Sequence, residues 1–194
     1  SSSGDEWMLL KEDKTLITSL AEPLLVSISE ITASVVCIEV EKENFIEIGC
    51  YLYRASAVIM LLQTTENTLT NAIKILESLS KSIDLAKELV VKCRKGVHTI
   101  LNPELRSIIE ELEGVIKHMG EDLSSIPPST YGDQEYAEVA IHSLSKEMRS
   151  VHFEVTQIQL PKQKEFEPHI LYLGELPKEE LAPIERDLYS INVE

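Results

Sequence analysis

Apolar residues recur at alternating steps of three and four along most of the first 160 residues of this chain. That spacing follows one face of an α-helix and differs from the strict alternation of a half-buried strand. Glycine is scarce (7 residues) and aromatic residues make up only 5%, which also favours helices. The pattern predicts an all-α fold, an elongated up-down bundle of four to five long helices joined by short loops.

Five segments carry this spacing, and proline, glycine and capping residues mark their ends. They run over roughly residues 12–40, 43–63, 69–101, 102–123 and 133–160. Pro23 lies inside the first segment, and an internal proline removes a hydrogen bond and kinks or breaks a helix. We therefore expect a fresh helix start capped by Ser19 and Glu22, preceded by a separate short helix.

The limits of the later segments depend on weaker signals. Gly96 is typical of a helix end, but the stripe continues beyond it in register, so the third helix is expected to reach Leu101. A cap residue and a proline at 102–103 predict the start of the fourth helix. Asp133 is expected to cap the fifth helix, whose stripe continues until Pro161.

Prolines recur at short intervals from residue 161 onward, and no long helix fits between them. Residues 161–194 are therefore interpreted as a proline-rich, partly irregular linker or tail, and residues 12–160 as the helical bundle. Residues 1–11 begin with Ser-Ser-Ser-Gly and are interpreted as a flexible N-terminus or a tag remnant.

The chain carries 33 acidic and 18 basic side chains, a formal net charge of -15. Such a surface repels the phosphates of nucleic acids and anionic membranes, so we expect no nucleic-acid partner and consider a membrane unfavourable. The longest apolar run, 57–62, is far too short to span a bilayer. The sequence shows no secretory signal peptide. A protein partner in the cytoplasm is therefore the expectation, with nuclear or plasma-membrane association through partners left open.

No spacing in the chain matches a known catalytic or metal-binding motif. Glu138 with His142 and His118 with Asp122 are four residues apart on predicted helices. Each pair offers only two ligands, where a metal site needs three or four. We therefore predict no catalytic residue, no cofactor site and no metal site.

Cys37, Cys50 and Cys93 are odd in number and widely spaced, which predicts free, buried thiols in a reducing compartment. Cys93 falls on the apolar stripe of the third segment, where burial is expected. Tyr53 and Arg54, together with a second tyrosine at 51, flank the core stripe of the second segment. They can form a binding patch or pack at the edge of the core.

Two stretches of the chain carry motifs of a known family. One is Lys42-Glu43-Asn44-Phe45 followed by Cys50-Tyr51-Leu52-Tyr53-Arg54; the other is Ala86-Lys87-Glu88-Leu89 with Cys93, followed later by Ile126-Pro127. Over roughly residues 19–158, the chain resembles the N-terminal helical domain of plant U-box E3 ubiquitin ligases with armadillo repeats. That family has a Cys-x-x-Leu-x-Arg helix, an Ala-Lys-Glu-Leu-x-x-x-Cys helix and then a Leu-Pro turn; Leu52 and Arg54 are each displaced by one.

The resemblance implies a non-catalytic interaction domain that precedes a U-box, the module that recruits the ubiquitin-conjugating enzyme. Armadillo repeats then follow and bind substrates. Residues 160–194 lack the Cys-Pro-Ile and Asp-Pro-Val motifs of a U-box. Ligase activity is therefore expected outside this chain, with the tail as the connector toward the U-box.

Other classes of function fit the same fold. One is a bundle of a cell-death or immune protein that acts at membranes, against which the net charge of -15 argues. Another is an adaptor or cytoskeletal helical module. Long heptad-like helices can also pair between chains, so a homodimer stays open.

Overall fold

The computed structural model describes residues 2–64, 69–96 and 102–156, and within these ranges it contains helices and no strand. The helices are α1 (Ser2–Val35), α2 (Lys42–Thr64), α3 (Leu69–Gly96), α4 (Asn102–Ser124) and α5 (Glu135–Arg149), with a 3-10 turn at Pro128–Tyr131. Buried side chains from all five helices form one hydrophobic core. The prediction of an all-α bundle is therefore confirmed.

The first helix packs against both α2 and α3, while α4 packs against α3 and α5. Contacts between α1 and α3 advance in the same direction: Lys87 pairs with Glu30, and Arg94 reaches Ser34. These two helices are therefore parallel. Consecutive helices were expected to be neighbours, but α2 and α3 are not among the closely packed pairs of the described residues. Both helices instead pack against α1.

The first helix runs through Pro23 without a break, and at about 1.5 Å per residue its 34 residues span roughly 50 Å. The predicted interruption is therefore wrong. Ser19 does not cap a new helix, because its Oγ donates to the carbonyl oxygen of Leu16 at 2.8 Å. An interior proline costs about 3 kcal/mol. Ala21 and Leu24, on either side of Pro23, are buried in the core, and burial of the continuous face offsets that cost.

Residues 2–11, which the sequence predicted as a flexible N-terminus or tag remnant, form the first turns of α1. Trp7, Met8 and Leu9 on these turns are exposed. The predicted starts and ends of α2 and α4 agree with the structure within one residue. The described part of α3 ends at Gly96, so the predicted end at Leu101 lies outside the described residues, as does the tail at 161–194.

The fifth helix is shorter than predicted at both ends. Gln134, not Asp133, occupies the N-cap position, and no side-chain hydrogen bond caps the helix. Its last residue is Arg149, and residues 151–156 are not helical. Val151 and Phe153 are buried while His152 between them is exposed, so this segment follows the two-residue period of extended chain. The prediction of helix as far as Pro161 is therefore wrong over residues 151–156.

The 151–156 segment is held at two places. Glu113 of α4 accepts hydrogen bonds of 2.9 Å from the His152 ring and from the backbone N–H of Phe153. Farther along, Asn44 donates to the Glu154 carbonyl at 2.9 Å, and Thr156 donates to Glu41 at 2.6 Å. The segment therefore runs from α4 to the N-terminal end of α2. It continues the course of α5, which is antiparallel to α2.

Candidate interaction surface

The second helix carries two apolar stripes, each with steps of three and four. The core stripe was recognised in the sequence, and its members have no exposed surface or almost none: Phe45, Ile48, Leu52, Ala55, Ile59 and Leu62. The other stripe faces solvent and comprises Ile46, Cys50, Tyr53, Ala57 and Met60. We call this second stripe the α2 ridge.

The ridge exposes large side chains. Tyr53 is 71% exposed, Met60 53% and Ile46 41%. The helices α1 and α5 pack on the two sides of α2, and no helix in the described part of the chain covers the ridge. Apolar side chains that are lined up on one helix face and left in water mark a surface that favours a partner.

One groove lies beside the ridge, between α2 and the C-terminal part of α1. It has a volume of about 390 Å³ and is lined by Thr32 and Val35 of α1, by Val36 just after that helix, and by ridge residues. Gly49 forms part of its floor. A Cβ at position 49 would lie 2.9 Å from Cγ2 of Val35, so glycine permits the close approach of these two helices.

A larger groove, about 630 Å³, lies on the other side of the ridge, between α2 and α5. Its lining is rich in small apolar side chains, among them Ala57, Ala137 and Ala140. Arg54 also lines it and pairs with Glu147 of α5 at 2.6 Å. That ion pair joins the two helices across the groove.

Acidic side chains lie on α2 beyond the Arg54 end of the larger groove, while the described residues that line it include no carboxylate. Glu43 and Glu47 are exposed one helical turn apart, on the α5 side of the ridge. The hydrogen bond from Arg54 is the main cause of a lowered pKa of Glu147, which stays ionised at neutral pH. Burial, together with the nearby Glu47 and Glu147, raises the pKa of Tyr51. Among the described residues that line this groove, Arg54 is the cation, and its charge is paired.

The sequence singled out two tyrosines and an arginine on α2, and the structure separates their roles. Tyr53 stands on the ridge, whereas Tyr51 is partly buried against the core. Arg54 packs beside the ring of Tyr51, 5.9 Å from its centre, and pairs with Glu147. Packing at the edge of the core therefore applies to Tyr51, whereas a binding patch at the exposed Tyr53 stays a prediction.

Sequence reasoning missed the remaining ridge residues. Ile46, Ala57 and Met60 repeat the helical spacing just as the core stripe does, so a second stripe on the same helix was the available signal. Cys50 was expected to be buried but is exposed, and Cys37 is only partly buried. The prediction of buried thiols is therefore wrong for Cys50.

Cys93 has no exposed surface, as its place on the stripe predicted. Burial, with a smaller contribution from Glu104, raises the pKa of this thiol to about 12.

His118 lies 3.7 Å from Glu121 and 3.3 Å from the Ser78 hydroxyl, and Ser78 also donates to Asp122. Within residues 2–64, 69–96 and 102–156, no three His, Cys, Asp or Glu side chains converge as a metal site would require.

Two of the described helices, α1 and α2, are long and apolar enough to cross a bilayer by length and composition. Core helices of water-soluble proteins pass the same test. In α2 the apolar residues divide between the core stripe and the ridge, and in this fold the core stripe is covered by protein.

The fold and surface define an all-α helical-bundle domain with an exposed apolar ridge. Over 91 residues, the chain is 47% identical to an Arabidopsis thaliana protein described as U-box domain-containing protein 42. The match covers 47% of this chain and 9% of that protein. No family model matches the chain, and no solved structure matches it. The similarity supports a U-box-related protein, in agreement with the resemblance found in the motifs.

Proposed function

We propose that this chain is the non-catalytic, partner-recruiting domain of a plant U-box E3 ubiquitin ligase that acts in the cytoplasm. The observation that carries the proposal is the α2 ridge, an ordered row of exposed apolar side chains flanked by two grooves. Burial of such an apolar surface by a partner lowers the free energy, because it removes the side chains from water. The similarity to a U-box protein supplies the setting.

In this proposal the chain selects the protein to be modified, while a U-box elsewhere in the parent protein recruits the conjugating enzyme. The two activities can therefore be separated experimentally. The parent protein would be assayed for ubiquitin transfer with and without residues 1–160. We expect self-ubiquitination to continue without the domain and modification of a partner protein to stop.

The matched variant keeps the domain and changes only the ridge, with Tyr53→Glu and Met60→Glu together. Because both side chains are more than half exposed, these changes should leave the fold intact while they weaken partner modification. Partner modification that continues without residues 1–160 would contradict the proposal, and so would a parent protein that lacks a U-box.

A further inference from the structure

We infer that the groove between α2 and α5 receives one amphipathic helix of the partner, with lysine or arginine beside its apolar face. The inference rests on the proposed function, because it names the kind of partner that the domain recruits. It follows from the shape of the ridge, the lining of the larger groove and the charges around it.

The ridge extends from Ile46 to Met60, which is about 21 Å at roughly 1.5 Å per residue. Its steps of three and four are the spacing with which one helix contacts another along its length. An extended peptide presents side chains every second residue and does not match this repeat. The ridge therefore favours a helical partner of about four turns.

The groove on the α5 side is the better seat for that helix. Its volume of about 630 Å³ exceeds the roughly 390 Å³ of the groove on the α1 side. Ala57 and Ala140 are exposed along it, and small side chains allow two helix backbones to approach closely. Tyr53 and Met60 also line this groove and are more than half exposed, so they can contact the apolar face of the incoming helix.

The charged side chains near the groove favour one of three possible occupants: a basic helix, a second copy of the chain or a membrane. Glu43 and Glu47 are exposed on α2 beyond the Arg54 end of the groove, and Arg54 is already paired with Glu147. A helix with basic flanks gains attraction from these carboxylates. A second copy of this chain would bring a second set of the same carboxylates to the contact, and an anionic membrane would be repelled by them.

The test selects partners without assuming their identity. A display library of helical peptides about six turns long, randomised at all surface positions, would be selected against the whole 194-residue protein. We expect the recovered peptides to carry apolar residues at steps of three and four and an excess of lysine and arginine. Their binding should weaken as salt is added.

Two variants then locate the site. Met60→Glu should weaken peptide binding by at least about tenfold, because Met60 is 53% exposed and lines the larger groove but not the smaller one. Val26→Glu is the matched control, because Val26 is 57% exposed on α1 and lines neither groove. Its binding should stay within about twofold of wild type. Acidic or non-helical peptides, or equal effects of the two variants, would overturn the inference.

The exposed thiol of Cys50 lies on the ridge and lines the groove on the α1 side, so its alkylation reports whether an occupant also covers the ridge. A saturating selected peptide should slow its alkylation by at least about fivefold. A rate that falls with protein concentration alone would indicate a second copy, and one that falls with phosphatidylserine vesicles would indicate lipid. A thiol already protected in the dilute protein alone would indicate a segment of this chain. Each of these three results would overturn the inference while leaving the dependence of partner modification on the domain intact.

Discussion

The carboxylate of Glu113 on α4 accepts a hydrogen bond of 2.9 Å from the backbone N–H of Phe153. This bond holds the extended chain that follows α5 against α4. Glu113 is 18% exposed at its side chain and also binds Lys117 at 3.4 Å. Replacing it with alanine leaves the Phe153 N–H without its acceptor, so unfolding should become easier by about 1–3 kcal/mol. Urea unfolding would measure the change, and Glu110→Ala on the exposed face of α4 should lie within about 0.5 kcal/mol of wild type.

The contribution of Glu113 should also depend on pH. Burial tends to raise its pKa, but the Phe153 N–H, Lys117 and His152 outweigh burial and lower it. A carboxyl whose pKa is lower in the folded state stabilises the fold above its unfolded pKa, near 4.3, and loses that contribution as pH falls through the folded value. The stability difference between wild type and Glu113→Gln should therefore shrink as pH falls below about 4. A difference that stays constant from neutral pH to pH 2 would contradict this.

Two glycines on α4 form a matched pair with opposite expected effects. A Cβ at Gly120 would lie 2.9 Å from the backbone nitrogen of Arg149 and from Cβ of Met148, whereas a Cβ at Gly114 meets nothing within 4 Å. Gly120→Ala should therefore destabilise the protein by about 1–3 kcal/mol. Gly114→Ala should stabilise it by about 0.5–1 kcal/mol, because alanine favours the helix. Thermal unfolding would show midpoints that move in opposite directions.

The two faces of α2 should respond differently to truncation. Leu52 has no exposed surface, so Leu52→Ala should cost about 2–5 kcal/mol. Tyr53 is 71% exposed, so Tyr53→Ala should change stability by no more than about 0.5 kcal/mol. Chemical denaturation would compare both variants with wild type. A cost above 2 kcal/mol at Tyr53 would show that the ridge is part of the folded core.

The thiols should react at very different rates. Cys50 is exposed, whereas Cys93 is buried with its pKa raised to about 12. Thiolate is the reactive form, so iodoacetamide at neutral pH should modify Cys50 readily and Cys93 hardly at all. Mass spectrometry of the modified peptides gives both rates. In urea the two rates should become similar, and equal rates in the native protein would disprove the burial of Cys93.

The fold could be predicted from the sequence wherever one stripe and clear end signals coincide. Both limits of α2 and α4 follow from such signals. The break predicted at Pro23 is wrong because the proline costs about 3 kcal/mol, which is less than the free energy gained by burying the apolar face of a continuous α1. At the end of α5, Val151 and Val155 fit both a helical stripe and extended alternation. Only the burial of Phe153, which a helix would place off the stripe, distinguishes the two.

The candidate site was hidden for a different reason. On α2 the stripes through Leu52 and through Tyr53 have the same spacing, and nothing local says which one the other helices will cover. That choice is made by the neighbours of α2, which are α1, α4 and α5. Contacts between distant parts of the chain set it, so a reading of the helix alone could not identify the ridge.

The parallel pairing of α1 with α3 has a consequence for how the protein reaches its fold. Arg94 and Ser34, which meet at 3.5 Å, are 60 positions apart in the chain, with the whole of α2 between them. Closing so long a loop costs chain entropy before the contact can contribute any stabilising free energy. Contacts between residues so far apart in the sequence therefore slow folding. During synthesis, α1 and α2 can form a hairpin early, but the other face of α1 stays uncovered until the ribosome has delivered α3. Until then, that apolar face is open to chaperones and to aggregation.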